Sequence, residues 1–199
     1  MHTNELRFLD AIVTRASLDL VANITPADLD KPTPCAAWTL HGLLSHMATQ
    51  NHGFAAAADG DADLDHWKLI SLGEDPVATY RASVTRVLNA FAPHDLQDRK
   101  FELAEFSTEV TFTAEQALSF HFVDYLAHSW DVAKALGLPV KFEKEVLDAG
   151  LRFAESIPDG ANRKSPGAPF GPAVDATGPS ALDRIVALLG RSPSWPDKA

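Results

Sequence analysis

The residues with the clearest chemical potential lie in one segment, HFVDYLAHSWD, which spans 121–131. If the segment is helical, at about 100° per residue, Asp124 and His128 are four residues apart and lie on one face. His121 and Asp131 continue the same stripe, one turn to either side, between apolar flanks. A carboxylate and an imidazole at this spacing can chelate a divalent ion if a further ligand comes from elsewhere in the chain. The alternative is a solvent-facing polar stripe in which the two residues form an ordinary surface pair.

The two outer residues of the stripe cannot both bind the same ion. His121 and Asp131 lie about 15 Å apart along a helix, whereas metal–ligand bonds are about 2 Å long. His121 is therefore a hydrogen-bonding partner of a ligand, an extra ligand or a core histidine. Asp131 either accepts a hydrogen bond from a ligand histidine and fixes its tautomer, or pairs locally. The single cysteine, Cys35, precedes a helix start, where a thiolate is favoured, and is either a catalytic thiol or a buried structural residue.

Length and composition are those of one globular domain. The chain has 199 residues, of which 46% are hydrophobic and 22% charged, so disorder is not indicated. The formal net charge of −10 repels phosphate groups, and we expect no nucleic-acid and no membrane binding. No apolar run approaches the roughly 20 residues that span a bilayer. One cysteine forms no internal disulfide, which fits a cytoplasmic protein whose metal ligands are His and carboxylates.

Apolar spacing predicts five or six helices that position these side chains. They are expected over 3–23, 39–58, 75–91, 113–137, 143–156 and 180–189. Residues 101–112 are predicted to be an irregular or extended link, and 158–179 a loop rich in Pro and Gly. Long amphipathic helices with little strand propensity predict an all-α bundle.

The boundaries of the second and fourth predicted helices are marked by specific residues. Thr39 is a plausible N-cap of the second helix. Thr113, followed three residues later by Gln116, has the pattern of a capping box at the start of the fourth helix. Gly137 followed by Pro139 predicts that the fourth helix ends there.

Two segments, PTPCAAWTLHGLLSHM (32–47) and DYLAHSWDVAKALG (124–137), resemble the DinB-like superfamily. The resemblance is closest to the metal-binding domain of mycothiol-dependent maleylpyruvate isomerase and its relatives in actinobacteria. The shared pattern is Thr-Pro-Cys, a Trp and a helix with His, followed much later by a carboxylate, three residues, His and Trp-Asp-Leu-Ala. Val132 replaces that Leu here, and the ending LLGRSPSW (188–195) is also similar to the common ending of the family.

The resemblance implies a DinB-like four-helix bundle with a short C-terminal extension. The metal-binding bundle would cover residues 1–140, and C-terminal helices with a Pro/Gly-rich extension would cover 141–199 and pack on the same domain. Carried over residue by residue, the metal ligands are His46, Asp124 and His128. The isomerase has Glu at the position of Asp124, and with the shorter Asp the ion must either lie nearer the helix or bind the carboxylate with a different denticity. Zn²⁺ is the first expected metal, with Ni²⁺ and Fe²⁺ as alternatives.

The implied activity is that of a metal-dependent S-transferase or isomerase. A small-molecule thiol of the mycothiol type would attack a small electrophilic substrate after the ion has lowered the pKa of the thiol. His121 is the best candidate for a catalytic base. The alternatives are a non-catalytic bundle that binds a metal or a small molecule, and a purely structural bundle without metal. The sequence is compatible with a homodimer in each case.

Overall fold

Six α-helices make up most of the part of the chain described by the computed structural model, namely residues 2–165, 168–176 and 180–196. The helices are α1 (Thr3–Val21), α2 (Leu40–Ala58), α3 (Pro76–Ala90), α4 (Ala114–Leu136), α5 (Lys144–Ser156) and α6 (Ala181–Leu188). Each lies close to its predicted bounds, and the all-α fold class is confirmed. Within the described ranges, no helix combines the length and the apolar character that crossing a bilayer requires.

Capping residues fix where α2 and α4 begin and end. The backbone N–H of Gly42 donates to the Thr39 side chain at 3.4 Å, which confirms the predicted N-cap of α2. Thr113 and Gln116 form the predicted capping box at the start of α4, with both reciprocal hydrogen bonds present. Gly137 ends α4 with a φ of 69°, a left-handed conformation that glycine adopts without a steric penalty. The positions of these caps determine how far along each helix the candidate ligands lie.

Helices α1 to α4 form the bundle. Helix α1 packs mainly on α4, and α2 mainly on α3, while α2 also contacts α4 and α1 contacts α3. The hydroxyl of Tyr125 in α4 donates to the backbone carbonyl of Met47 in α2 at 2.7 Å, and four residues earlier His121 lies beside Asn51. The two helices are therefore antiparallel, so moving forward along α2 corresponds to moving backward along α4.

The C-terminal helices α5 and α6 pack on each other and on α4. The rings of Phe122 in α4 and Phe153 in α5 meet edge to face, with centroids 5.9 Å apart. Gly150 allows this close approach, since a Cβ atom there would lie 2.4 Å from Leu126 Cδ2. In the predicted loop over 158–179, residues 166–167 and 177–179 lie outside the described residues.

Residues 101–112, which were predicted to be an irregular or extended link, are mainly irregular and have a short strand at each end. Strand β1 (Lys100–Phe101) pairs antiparallel with β2 (Phe112–Thr113), with Lys100 opposite Thr113 and Phe101 opposite Phe112. Between the strands, the Phe106 ring stacks on Phe120 of α4 with centroids 5.3 Å apart. This contact holds the link against α4 one turn before Asp124.

Candidate metal centre

His46 of α2 meets Asp124 and His128 of α4 in one cluster. His128 Nε2 lies 3.2 Å from Asp124 Oδ1, and His46 Nε2 lies 3.9 Å from Asp124 Oδ2. One ligand atom from each of the three residues lies within 4.8 Å of the others. Donor atoms around a tetrahedral ion with bonds of about 2.1 Å are about 3.4 Å apart. The three residues expected from the family resemblance therefore come together at a spacing that fits one ion.

The second oxygen of Asp124 provides an independent test of this fit. Oδ2 is shielded from solvent and has no hydrogen-bond partner among the described residues. A buried carboxylate oxygen without a partner is costly, and a cation at this point would remove the cost. The side chains of Asp124 and His46 are still 22% and 20% exposed, so solvent reaches the edge of the cluster. The donor set and the unpartnered oxygen both fit a divalent ion.

Trp38 fixes the orientation of the His46 ring. The two rings stack with centroids 4.5 Å apart and an interplanar angle of 26°. His46 also meets the His128 ring edge to face at 5.2 Å. The Trp38 ring is half-buried at the edge of the site, and with His128 it restricts the directions in which His46 Nε2 can point.

Asp131 orients the other histidine. Its Oδ2 accepts a hydrogen bond from His128 Nδ1 at 2.8 Å, which leaves Nε2 facing Asp124. The bond that the sequence allowed between Asp131 and a histidine of the polar stripe is therefore present, and a partner of this kind fixes the orientation of a metal-binding histidine. The same oxygen accepts from Arg191 Nη2 at 3.2 Å, while Arg191 Nη1 donates to the Leu189 carbonyl at 2.8 Å. Asp131 and Arg191 are both buried. Sequence reasoning missed Arg191, although it lies within the LLGRSPSW ending that resembles the family.

Arg191 also reaches Cys35. Its Nη2 lies 3.5 Å from Cys35 Sγ. Burial raises the pKa of the Cys35 thiol to about 11. The positive charge of Arg191 lowers this pKa only in part, and the negative charges of Asp131 and Asp124 raise it further. Cys35, His128 and Asp131 are also close enough together to hold a metal ion. The positive charge of Arg191 already lies against Cys35 and Asp131 of this second group, so the cluster around Asp124 is the better site for a cation.

The three candidate ligands differ in their protonation. Burial lowers the pKa of His46 to about 4, so its ring is neutral near pH 7. Burial also acts to lower the pKa of His128, but Asp124 and Asp131 outweigh it and raise that pKa to about 9. Burial acts to raise the pKa of Asp124, yet His128 and His46 hold it well below its usual range. A metal ion must therefore displace one proton, that of His128.

The structure places His121 away from this cluster, in the bundle interior. The side chain is fully buried, with Nδ1 2.7 Å from Asp10 Oδ1 and Nε2 3.2 Å from Asn51 Oδ1. The Tyr125 ring stacks on it at 4.3 Å. The location is that of a core histidine with both ring nitrogens paired, and the role of His121 as a base stays a prediction.

A family model described as the mycothiol maleylpyruvate isomerase N-terminal domain matches residues 11–133. The chain belongs to this family. The matched range contains all three candidate ligands and Asp131, and it ends before Arg191. The family links the chain to mycothiol-related metal-binding proteins. 

Two relatives extend the likeness over most of the chain. Uncharacterised proteins from two strains of Mycobacterium tuberculosis are each 26% identical to it over 182 residues, which cover 87% of this chain and 90% of each relative. No solved structure matches the chain significantly. Because the relatives are themselves uncharacterised, the chemistry of the site has to be argued from its geometry.

Proposed function

We propose that the protein is a divalent-metal-dependent S-transferase or isomerase that uses a small thiol of the mycothiol type on a small electrophile. The observation that carries the proposal is the ligand set, in which two imidazoles and one carboxylate converge at a partly exposed edge of the bundle. Catalytic zinc sites commonly have three protein ligands and keep a further position for water or substrate. A structural site is closed by four protein ligands.

The residues around the ligands prepare the site for a cation. Asp131 holds His128 in the tautomer that presents Nε2, and Trp38 holds the His46 ring. With both histidines neutral, Asp124 and Asp131 carry two negative charges and Arg191 one positive charge. The net charge of these groups is therefore −1, which favours binding of a divalent cation. Imidazole and carboxylate ligands favour Zn²⁺ first, with Ni²⁺ or Fe²⁺ as alternatives. Such an ion supplies Lewis-acid chemistry that lowers the pKa of a thiol.

The first experiment is metal analysis by plasma mass spectrometry on untagged protein. We expect about one ion per chain in the wild type and none in His128→Ala. The matched control is His41→Ala, because His41 is an exposed histidine on the same helix as His46. Absence of a stoichiometric metal in the wild type after dialysis against Zn²⁺ or Ni²⁺ would overturn the proposal.

The second experiment separates an enzyme from a non-catalytic metal-binding bundle. Zinc-loaded protein is mixed with mycothiol and monochlorobimane, and the fluorescent thioether is measured with and without a chelator. Metal-dependent formation of the thioether above the uncatalysed rate supports the proposal. Stoichiometric metal without any thiol transfer or isomerisation would favour the non-catalytic alternative.

A further inference from the structure

The link between β1 and β2 lies along the face of α4 that carries Asp124. Phe106 of the link stacks on Phe120 at 5.3 Å with an interplanar angle of only 11°, and Phe112 meets the same ring edge to face at 5.5 Å. Phe120 is four residues before Asp124, so both project from one face of the helix. These aromatic contacts fix the link next to the metal centre, on the side toward the start of α4.

Gln50 of α2 holds one residue of this link. It lies four residues after His46, on the same face of α2, and is only 4% exposed. Its Nε2 donates a hydrogen bond to Glu105 Oε2 at 2.7 Å. Because α2 and α4 are antiparallel, the turn after His46 lies level with the turn before Asp124. Glu105 is therefore hydrogen-bonded to α2, and its neighbour Phe106 is packed on α4, at the same end of the metal centre.

The surroundings of Glu105 favour a carboxyl group that exchanges protons. Burial raises the pKa of Glu105, the hydrogen bond from Gln50 opposes that rise, and the negative charge of Asp124 adds to it. Its neighbour Phe106 is stacked on Phe120, one turn before Asp124, so Glu105 lies on the part of the link that packs beside the ligand carboxylate. Part of the Glu105 side chain nevertheless remains accessible to solvent, in contrast to His121, which is fully buried in the interior. A base or acid whose pKa moves toward the working pH transfers protons more effectively.

From this geometry we propose that Glu105 is the residue that accepts the thiol proton of a substrate at the metal centre, positioned there by Gln50. The inference rests on the proposed function. The S–H bond breaks and an O–H bond forms on Glu105, while the electron pair stays on sulfur. That pair forms a C–S bond with the electrophile, from which a leaving group departs with its own bonding pair. If the electrophile is instead a carbon–carbon double bond, Glu105 returns the proton to the neighbouring carbon.

Stopped-flow absorption of cobalt-substituted protein tests the proton transfer without relying on product formation. Mixing with mycothiol gives a sulfur-to-cobalt absorption band when the thiol loses its proton. We expect the band to form about 100-fold or more slowly in Glu105→Gln than in the wild type. The matched control is Glu102→Gln, an exposed carboxylate on the same link, which should keep the wild-type rate. In Glu105→Ala, added formate should restore part of the rate at which the band forms. If the role of Glu105 were only structural, formate would have no effect on this rate.

The outcomes separate this inference from the proposed function. Equal rates in the wild type and Glu105→Gln, with equal cobalt content, would overturn the role of Glu105 and leave the proposed function intact. Failure of formate to speed up Glu105→Ala would also overturn it. A wild-type protein that binds cobalt but gives neither the band nor a thioether would overturn the proposed function, and this inference with it.

Discussion

The hydrogen bond between Asp131 and His128 should set the metal affinity. Asp131→Asn keeps the shape of the side chain but removes its charge, so the bond to His128 Nδ1 is no longer charge-assisted. Loss of such a partner of a ligand histidine typically costs 10–100-fold in metal affinity, or about 1.4–2.8 kcal/mol. We expect the Kd for Zn²⁺ to rise by this factor, measured by competition with a chromophoric chelator.

The protein contains a matched control for this prediction. Asp10 is 1% exposed and accepts a hydrogen bond from His121 at 2.7 Å, so it reproduces the buried Asp–His pair away from the ligands. Asp10→Asn should lower the free energy of unfolding but leave the Kd for Zn²⁺ unchanged. The reasoning would be refuted by a wild-type Kd in Asp131→Asn, or by an equal loss of affinity in both variants.

Three further predictions follow from the same structure. Zn²⁺ binding should release about one proton per ion, and the affinity should rise about tenfold per pH unit until about pH 9, because His128 binds a metal only when neutral and its pKa is about 9. Calorimetry in buffers of different ionisation enthalpy counts the released proton. An affinity that does not change with pH would contradict this prediction. Cys35 should react with iodoacetamide far more slowly than free cysteine at neutral pH, because a pKa of about 11 leaves little thiolate. Mass spectrometry after timed alkylation measures this rate. A rate equal to or above that of free cysteine would contradict the prediction. Gly53→Ala should lower the free energy of unfolding, measured by urea titration, by about 1–3 kcal/mol, because the new Cβ would lie 2.4 Å from the Trp67 ring. An unchanged midpoint of the urea transition would mean that the Trp67 ring can move away at no cost.

The helices were predictable because their signals are local. Apolar periodicity identified each helix, and the ends of α4 were marked by Thr113, Gln116 and Gly137, whose predicted capping roles are all present. The irregular link before α4 was also predicted, since its sequence lacks helical periodicity. Helices and their caps are formed by hydrogen bonds between residues a few positions apart, so the signals for them can be read from a single sequence.

The partners of the site residues were not predictable in this way. Arg191 lies 60 residues after Asp131 and 156 residues after Cys35, and the Asp10–His121 pair spans 111 residues. Helical spacing shows which residues share a face, but it does not show which residue of another helix meets that face. Only the family resemblance placed His46 with the two residues of α4. The family-like ending LLGRSPSW contains Arg191 but does not show that Arg191 meets Asp131, and no pattern pointed to Glu105.

Helix α4 carries two buried histidines that are each hydrogen-bonded to a carboxylate, yet only His128 lies in the candidate metal centre. The difference comes from the facing residues of α2. His128 meets His46, whose ring nitrogen is an additional candidate metal ligand, whereas His121 meets Asn51, whose amide oxygen is already within hydrogen-bonding distance of Nε2. The carboxylate partner of His121, Asp10, lies on α1 and is itself buried. The location of the candidate metal centre therefore depends on the residues of α2 that face the polar stripe, and the stripe alone could not distinguish a candidate ligand from a core histidine.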